Sequence, residues 1–467
     1  MTRAEPTVLV VGGGPAGVVA AARLASAGHA VTLVDAGTLH ASGPFESVLA
    51  SARPWLERLG FGPELGEAAE VDPLRHGARW GGPELVWRDD AAPGLLLRRG
   101  PFDRRLRARV AERGVTVIEE ARVAATDDGC CRVTERSGRT HGPWRPEIVV
   151  VATGRTTRAR LPMLPTGPRT LAFGCVGEPA AEDRGTAVVE AVPDGWIWTY
   201  VPHRGAACAT VLLDTVEVAR VGRTQLLARA FAAARGPAAR LVGARVLHAT
   251  DATPAGRRSA ADERMLTIGD AMATIDPLAS QGVEKALAAG DHAAAVVHTA
   301  LREPGWRSRL FAGHQRFELG VQAAHQRTAE EWYRREPRFA DQPFWVRRRV
   351  SVGSSSTQPS ADPRDQPLRL APHVQPGQVL VRAGAEFVAA DGAIDQRTGE
   401  ETARIGYVSV PALLARFRSP TTLHAAVADG AHDPRLFVLP PRAVHTALLE
   451  LLRRGWLTPA DAAPDSR

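Results

Sequence analysis

Lysine is almost missing from this chain of 467 residues: Lys285 is the only one, and arginine supplies the rest of the 58 basic side chains. Against 51 acidic residues this leaves a formal charge of +7. The arginines are spread along the chain, whereas nucleic-acid binding needs a clustered basic face, so no nucleic-acid partner is expected. Cysteine is also scarce. Cys130, Cys131, Cys175 and Cys208 have neither CxxC nor metal-ligand spacing, which excludes a zinc site or disulfide framework and predicts reduced thiols. No run of ~20 apolar residues is present to span a membrane. Met1 lies a few residues before the first apolar run, Val8 to Val11, leaving no room for a signal peptide. A cytoplasmic protein with no membrane contact is the expectation. A second GxGxxG is absent as well, so no dedicated NAD(P)H domain is predicted.

What is present is concentrated between residues 8 and 37. Val8 to Val11 reads as a buried parallel strand. Gly12, Gly14 and Gly17, with Pro15 and Ala16 between them, form a GxGxxG turn that opens a helix of small residues ending near Gly28. A second strand, Ala30 to Val34, leads to Asp35 and Ala36. The glycines provide a tight turn, close backbone approach to a pyrophosphate and close helix–strand packing. The helix N-terminus offers free N–H groups, and Asp35 can accept from a ribose hydroxyl.

Further along, residues 47–59 carry apolar positions at helical spacing, with Glu46 and Ser47 at the predicted N-terminus. Two readings of this turn stand together: a capping serine beside a favourable carboxylate, or a segment bordering the cofactor. The Trp80 to Trp87 segment, with Gly81-Gly82, predicts a hairpin. A helix is expected to begin near Pro101, with proline at its first position. Four strands are predicted between 160 and 250, forming an antiparallel sheet on which Trp196, Trp198 and Tyr200 share one face. Such a stripe serves either core packing or a pocket for an aromatic ligand. A strand from Met265 then leads through Gly269-Asp270 and Asp276-Pro277 to a helix beginning near Val283, followed by a long helix over 306–335. Residues 351–376 are rich in Ser, Pro, Gln and Asp and predict a linker. Residues 377–467 predict a small α+β domain of winged-helix character.

The GGGPAG turn with Asp35, RRGPFDRRL, ATGR and GDAMATIDPLASQG occur here in the order found in FAD-dependent aromatic hydroxylases, which they resemble. The finer segments FES, WGGPELVWRD, GWIWTYVP and WYRREPRFADQPFW are most similar to the tryptophan-halogenase-like branch. Within it they resemble the maturation monooxygenases of quinohemoprotein amine dehydrogenase. The resemblance covers about residues 6–350 and implies an α/β fold, in which a Rossmann-like FAD-binding domain (1–350) carries an inserted antiparallel-sheet substrate domain (about 160–250).

It also implies roles for particular residues. Gly12 to Gly17 and Asp35 hold the ADP half of FAD, flanked by Ala36 and Ser47. Arg99 lies against the cofactor, Val123 meets the adenine through its backbone, and Thr153 and Gly154 line the dinucleotide. Gly269 and Asp270 bind the ribityl–pyrophosphate region, while Pro277, Gln281, Gly282 and Val283 border the isoalloxazine. The implied reaction is hydroxylation of an indole or phenol ring by a flavin C4a-hydroperoxide, on a small molecule or on an aromatic residue borne by a peptide or carrier protein. NAD(P)H or a partner reductase supplies electrons. Glu46 is the candidate to orient or deprotonate the substrate, with Trp196 and Trp198 beside it; His40 and His203 are weaker acid–base candidates.

Two departures bear on the reaction. Flavin-dependent halogenases use an active-site lysine, and this chain has none before Lys285. Their WxWxIP signature is altered here to Trp196-x-Trp198-x-x-Val201-Pro202. The alternatives are a halogenase without the usual lysine, a geranylgeranyl-reductase-like flavoenzyme and a non-catalytic FAD-binding assembly factor. The C-terminal domain is read either as a docking module for a partner protein or as a structural cap.

Overall fold

The computed structural model describes residues 5–37, 45–48, 52–62, 75–88, 95–125, 130–156, 162–259, 262, 264–279, 281–349, 366–430 and 440–461. The chain divides into two compact units, Met1–Val352 and Gly353–Arg467.

The first unit is organised on a five-stranded parallel sheet. From one edge its strands are Met265–Thr267, Ile148–Val151, Val8–Val11, Val31–Val34 and Thr116–Ile118. These short β-branched runs are buried on both faces, as parallel strands covered by helices must be. Val10 lies opposite both Val150 and Leu33, and Val150 lies opposite Leu266. That register brings the carboxyl ends of four strands side by side. Gly12, Asp35, Ala152 and Ile268 follow those ends directly. The helices Pro15–Ser26 and Gly282–Arg302 pack closely because Gly290 leaves room for the Ala16 carbonyl, which a Cβ there would strike.

A seven-stranded sheet forms the second layer. It runs Val242–Asp251, Thr170–Glu178, Ala207–Asp214, Gly195–Val201, Thr186–Val192, Arg75–Arg79, Val86–Trp87. Two corrections apply to the predicted sheet. It recruits the Arg75–Trp87 hairpin from well before residue 160, and Thr186–Val192 pairs with Arg75–Arg79 in parallel, so it is not wholly antiparallel. Alternation along Gly195–Val201 divides the core. Ile197 packs under Leu226 and Ala230 of the helix Arg223–Ala233, while Trp196 faces Tyr333, Phe344 and Trp345.

The predicted helix over 47–59 is also corrected. Ser47 belongs to a strand, Phe45–Val48, and the helix is only Ala52–Arg58. The strand forms by pairing with Leu95–Arg98, Glu46 opposite Leu97 and Ser47 opposite Leu96, so a partner fifty residues away overrides local periodicity. Ser47 is therefore not a helix cap. The next helix starts at Arg99, two residues earlier than predicted, with Pro101 inside its first turn.

In the second unit, strands Val374–Ala383 and Glu386–Asp395 form a ten-residue hairpin. The helices Val410–Leu414, Leu423–Gly430 and Pro441–Arg453 bury Leu413, Phe417, Leu448 and Trp456. Leu368–Leu370 pairs with Leu457–Pro459. Residues 366–376, predicted as linker, thus already belong to the folded unit; their polar composition hid the Leu-Arg-Leu alternation.

Candidate active site

At the carboxyl edge of the parallel sheet the glycine turn is enclosed from three sides. Gly12 adopts a φ of +111°, and a Cβ there would run into the Ala152 carbonyl and the Thr153 amide, so only glycine lets the two loops touch. Gly269 sits against Ala16, whose Cβ would lie 3.2 Å from one added to that glycine. Asp35 closes the third side: its Oδ2 accepts from Gly13 N–H at 2.8 Å and its Oδ1 from Gly37 N–H at 3.0 Å. Three stretches of the sequence, the glycine turn with Asp35, Ala152-Thr153 and Gly269, therefore converge.

The space they leave suits an anionic dinucleotide. Among the described residues, no atom beyond the chain neighbours lies within 4 Å of a Cβ built on Gly14 or Gly154. Gly14 caps the Pro15–Ser26 helix without a side-chain bond, and no acidic residue occupies the first turn, so its N–H groups remain directed at a ligand. Arg107, which sequence reasoning missed, is buried against this turn. It donates from Nε to Glu119 at 2.6 Å and from Nη1 to the Gly13 carbonyl at 3.2 Å, and lies 3.8 Å from Asp35. Its only signal was a place in the arginine-rich helix after RRGPF. Arg99 is committed to Asp103 through two hydrogen bonds of 3.1 and 3.0 Å. Val123 is partly buried in strand Ala121–Ala125. Ala36 is exposed beside Asp35.

The Gly269–Val283 segment is held differently, by charges. Asp270 receives Arg155 Nε at 3.4 Å and Lys285 Nζ at 3.4 Å, and Lys285 also donates to the Ala273 carbonyl. The ammonium is enclosed, with 1% of its side chain exposed. Asp276 is buried, and burial pushes its carboxyl above the ordinary range although Leu278 N–H, Arg348 and Tyr333 pull the other way. Its Oδ1 accepts from Leu278 N–H at 3.0 Å, capping the Pro277–Ala279 turn. Tyr333 Oη donates to Asp276 at 3.0 Å and accepts from Trp196 Nε1 at 3.2 Å. Burial, with the Asp276 charge, lifts the Tyr333 phenol well above its usual value, so it stays a donor. Gln281 precedes the Gly282–Arg302 helix and offers no side-chain cap, which leaves the Gly282 and Val283 end open.

The nominated catalytic residues are not brought together in one way. Trp196 is interior, packed with Tyr333 and Trp345. Trp198 is partly buried and stacks on Tyr200 with centroids 5.9 Å apart. Glu46 has its strand placed, but its side chain, like that of Ser47, lies outside the described residues, as does all of His40. His203 is exposed. None of the four cysteines is in a disulfide. Among the described residues there is no metal-ligating cluster and no helix long and apolar enough to cross a membrane.

Residues 6–165 match the family model of the pyridine nucleotide-disulphide oxidoreductases. A tryptophan 2-halogenase of Chondromyces crocatus is 28% identical over 320 residues, 62% of this chain and 60% of that protein. The chain thus spans less than two thirds of the length of this curated relative. Among solved structures, a peptidyl tryptophan dihydroxylase, QhpG, essential for tryptophylquinone cofactor biogenesis, is similar with a TM-score of 0.71 and 24% identity, covering 97% of this chain and 100% of its own. The flavin-dependent halogenase CmlS gives a TM-score of 0.75 at 18% identity, covering 98% and 97%. The family model thus covers the N-terminal part of the chain, and nearly the whole chain shares the fold of the peptidyl tryptophan dihydroxylase QhpG and the flavin-dependent halogenase CmlS.

Proposed function

We propose that the chain is an FAD-dependent monooxygenase that hydroxylates an aromatic ring, an indole or phenol, presented by a peptide or carrier protein. The observation that carries hydroxylation over halogenation is the position of Lys285. The only lysine in the sequence is enclosed and bonded to Asp270 and the Ala273 carbonyl, so its ammonium is not available to receive a hypohalous acid. The peptide-borne substrate class is supported by the likeness to a peptidyl tryptophan dihydroxylase.

When bound and reduced, FAD supplies the activation of dioxygen for insertion into the ring. The chain's own residues have simpler tasks. The Gly12–Gly17 turn and the Pro15–Ser26 helix hold the pyrophosphate, and Asp35 fixes the adenosine ribose. Arg99 lies against the cofactor, Val123 meets the adenine through its backbone, Thr153 and Gly154 line the dinucleotide, and Asp270 takes the ribityl–pyrophosphate region. Pro277 and the Gln281–Val283 end of the helix border the isoalloxazine, where helix N–H groups favour negative charge. Glu46 orients the substrate or holds its proton. Trp196, through Tyr333 and Asp276, positions the Pro277–Ala279 turn, and the packed aromatic face around it excludes water. Electrons come from NAD(P)H docking transiently or from a partner reductase. The second unit docks the protein that bears the substrate.

Incubating the chain with reduced FAD, dioxygen and tryptophan, free or within a peptide, tests this reading. A product heavier by one or two oxygen atoms is expected, with the peptide preferred. Flavin reoxidation with no change in any aromatic substrate would refute it. Deleting residues 366–467 is expected to spare FAD binding and to weaken turnover of the protein-borne substrate; unchanged kinetics would refute the docking role.

A further inference from the structure

Lys285 is one lysine among 57 arginines, and its place is chemically selective. Its Nζ reaches Asp270 Oδ1 and the Ala273 carbonyl in a space closed to water, a demand met by a compact ammonium and not by a planar guanidinium. A second buried charge approaches the same turn from the Arg307–Arg334 helix. Glu318 is 1% exposed; its Oε1 accepts from Gly269 N–H at 3.5 Å, and its Oε2 has no partner among the described residues. The Gly269–Asp270 turn is thus gripped by its side chain from one helix and by its backbone from another.

We propose that Lys285 and Glu318 together position the Gly269–Asp270 turn from two helices, and that retention of FAD depends on the charge state of Glu318. The proposal rests on the flavin reading above. Ionising Glu318 adds one negative charge to the group formed by Asp270, Lys285, Arg155 and Arg257, beside the site of an anionic pyrophosphate. Burial pushes the Glu318 carboxyl up to about 7, with Lys285 and the Gly269 amide opposing and Asp270 adding to the rise. The change of charge therefore falls near neutrality, and the protonated form binds FAD more tightly. By reciprocity, FAD binding holds the proton on Glu318.

Other ionisable groups around the turn do not supply the same effect. His314, one helical turn before Glu318, bonds through Nε2 to the Thr267 carbonyl at 3.1 Å and is held down to about 4 by burial, so it is neutral throughout this range. His292 on the facing helix stacks on Phe317 and His314 with centroids 3.8 and 5.6 Å apart. His325 is lowered by burial and by Lys285. Arg155 pairs with the outer oxygen of Asp270, and Arg257 donates from Nε to the Ala271 carbonyl at 2.6 Å.

The test is a titration of the flavin-stripped full-length protein with FAD, followed by fluorescence, at about pH 6 and about pH 8, with thermal melting as a check on folding. Wild-type affinity is expected to fall by about tenfold at the higher pH, while Glu318→Gln stays at the tighter value at both. Lys285→Met is expected to bind about tenfold more weakly at both. A wild-type pH slope retained in Glu318→Gln would overturn the proposal, as would wild-type affinity in Lys285→Met. If Lys285→Met fails to fold, the slope of Glu318→Gln decides alone. FAD binding without any pH slope refutes the role of Glu318 only, whereas no FAD affinity at either pH refutes the flavin reading itself.

Discussion

The two ends of the proposed cofactor site are built by different physics. At the Gly12–Gly17 end the protein removes side chains, letting backbone N–H groups and a helix terminus approach the ligand, and anchors the turn with Asp35 and Arg107. At the Gly269–Val283 end it buries charged and polar side chains beneath the loop, which Lys285, Glu318, Asp276 and Tyr333 then hold in place. The first end tolerates almost no added volume, while the second is sensitive to proton and hydrogen-bond balance. Steric and electrostatic perturbations should therefore separate the two ends.

The largest expected effect is steric. Gly12→Val places a branched side chain at a φ of +111° against the Ala152 carbonyl, and FAD should be lost altogether, read as the absence of flavin absorbance in the purified protein. Next comes Tyr333→Phe, which keeps the packed ring but strands Trp196 Nε1 and the Asp276 carboxyl. A cost of about 1–3 kcal/mol in chemical denaturation is expected. A larger share of dioxygen should also be released as hydrogen peroxide, because the turn beside the flavin is loosened.

Neighbouring residues on one helix should then give opposite pH signatures. Glu318 has a folded value raised to about 7 from 4.5, so native stability is lost as pH rises through that window. Glu318→Gln should remove a loss of at most about 3 kcal/mol. His314 has a folded value lowered to about 4 from 6.5, so stability is lost as pH falls through that window. His314→Gln should flatten the acid limb instead; melting curves across pH check both. The smallest effect is expected at the surface of the second unit, where Arg453 pairs with Glu450 at 2.6 Å while 72% exposed. Arg453→Ala should cost under about 1 kcal/mol and leave FAD binding unchanged.

The same contrast explains what was legible in the sequence. Strand, glycine turn, helix and acid lie within thirty residues, so the first end could be read locally and the motifs around it placed in order. The second end was legible only as a GD…DP…G string. Its supports join residues 137 and 57 positions apart in Trp196–Tyr333 and Tyr333–Asp276, and no local pattern signals such pairs. Lys285 gave a signal through its singularity, but Glu318 gave none. Ser47 and Val48, in strand Phe45–Val48, were read as the start of a helix because their pairing partners are distant. Strand Val242–Asp251 escaped notice because nearly all of it is exposed, which leaves no alternation to detect.

The account turns most directly on what the flavin's oxidising power is used for. The measurement is the mass spectrum of a tryptophan-containing peptide after turnover with reduced FAD and isotopically labelled dioxygen, in excess bromide. Incorporation of one or two labelled oxygen atoms and no bromine is predicted. A bromine isotope pattern in the product would contradict the reading of Lys285 and, with it, the assignment of this enzyme as a hydroxylase.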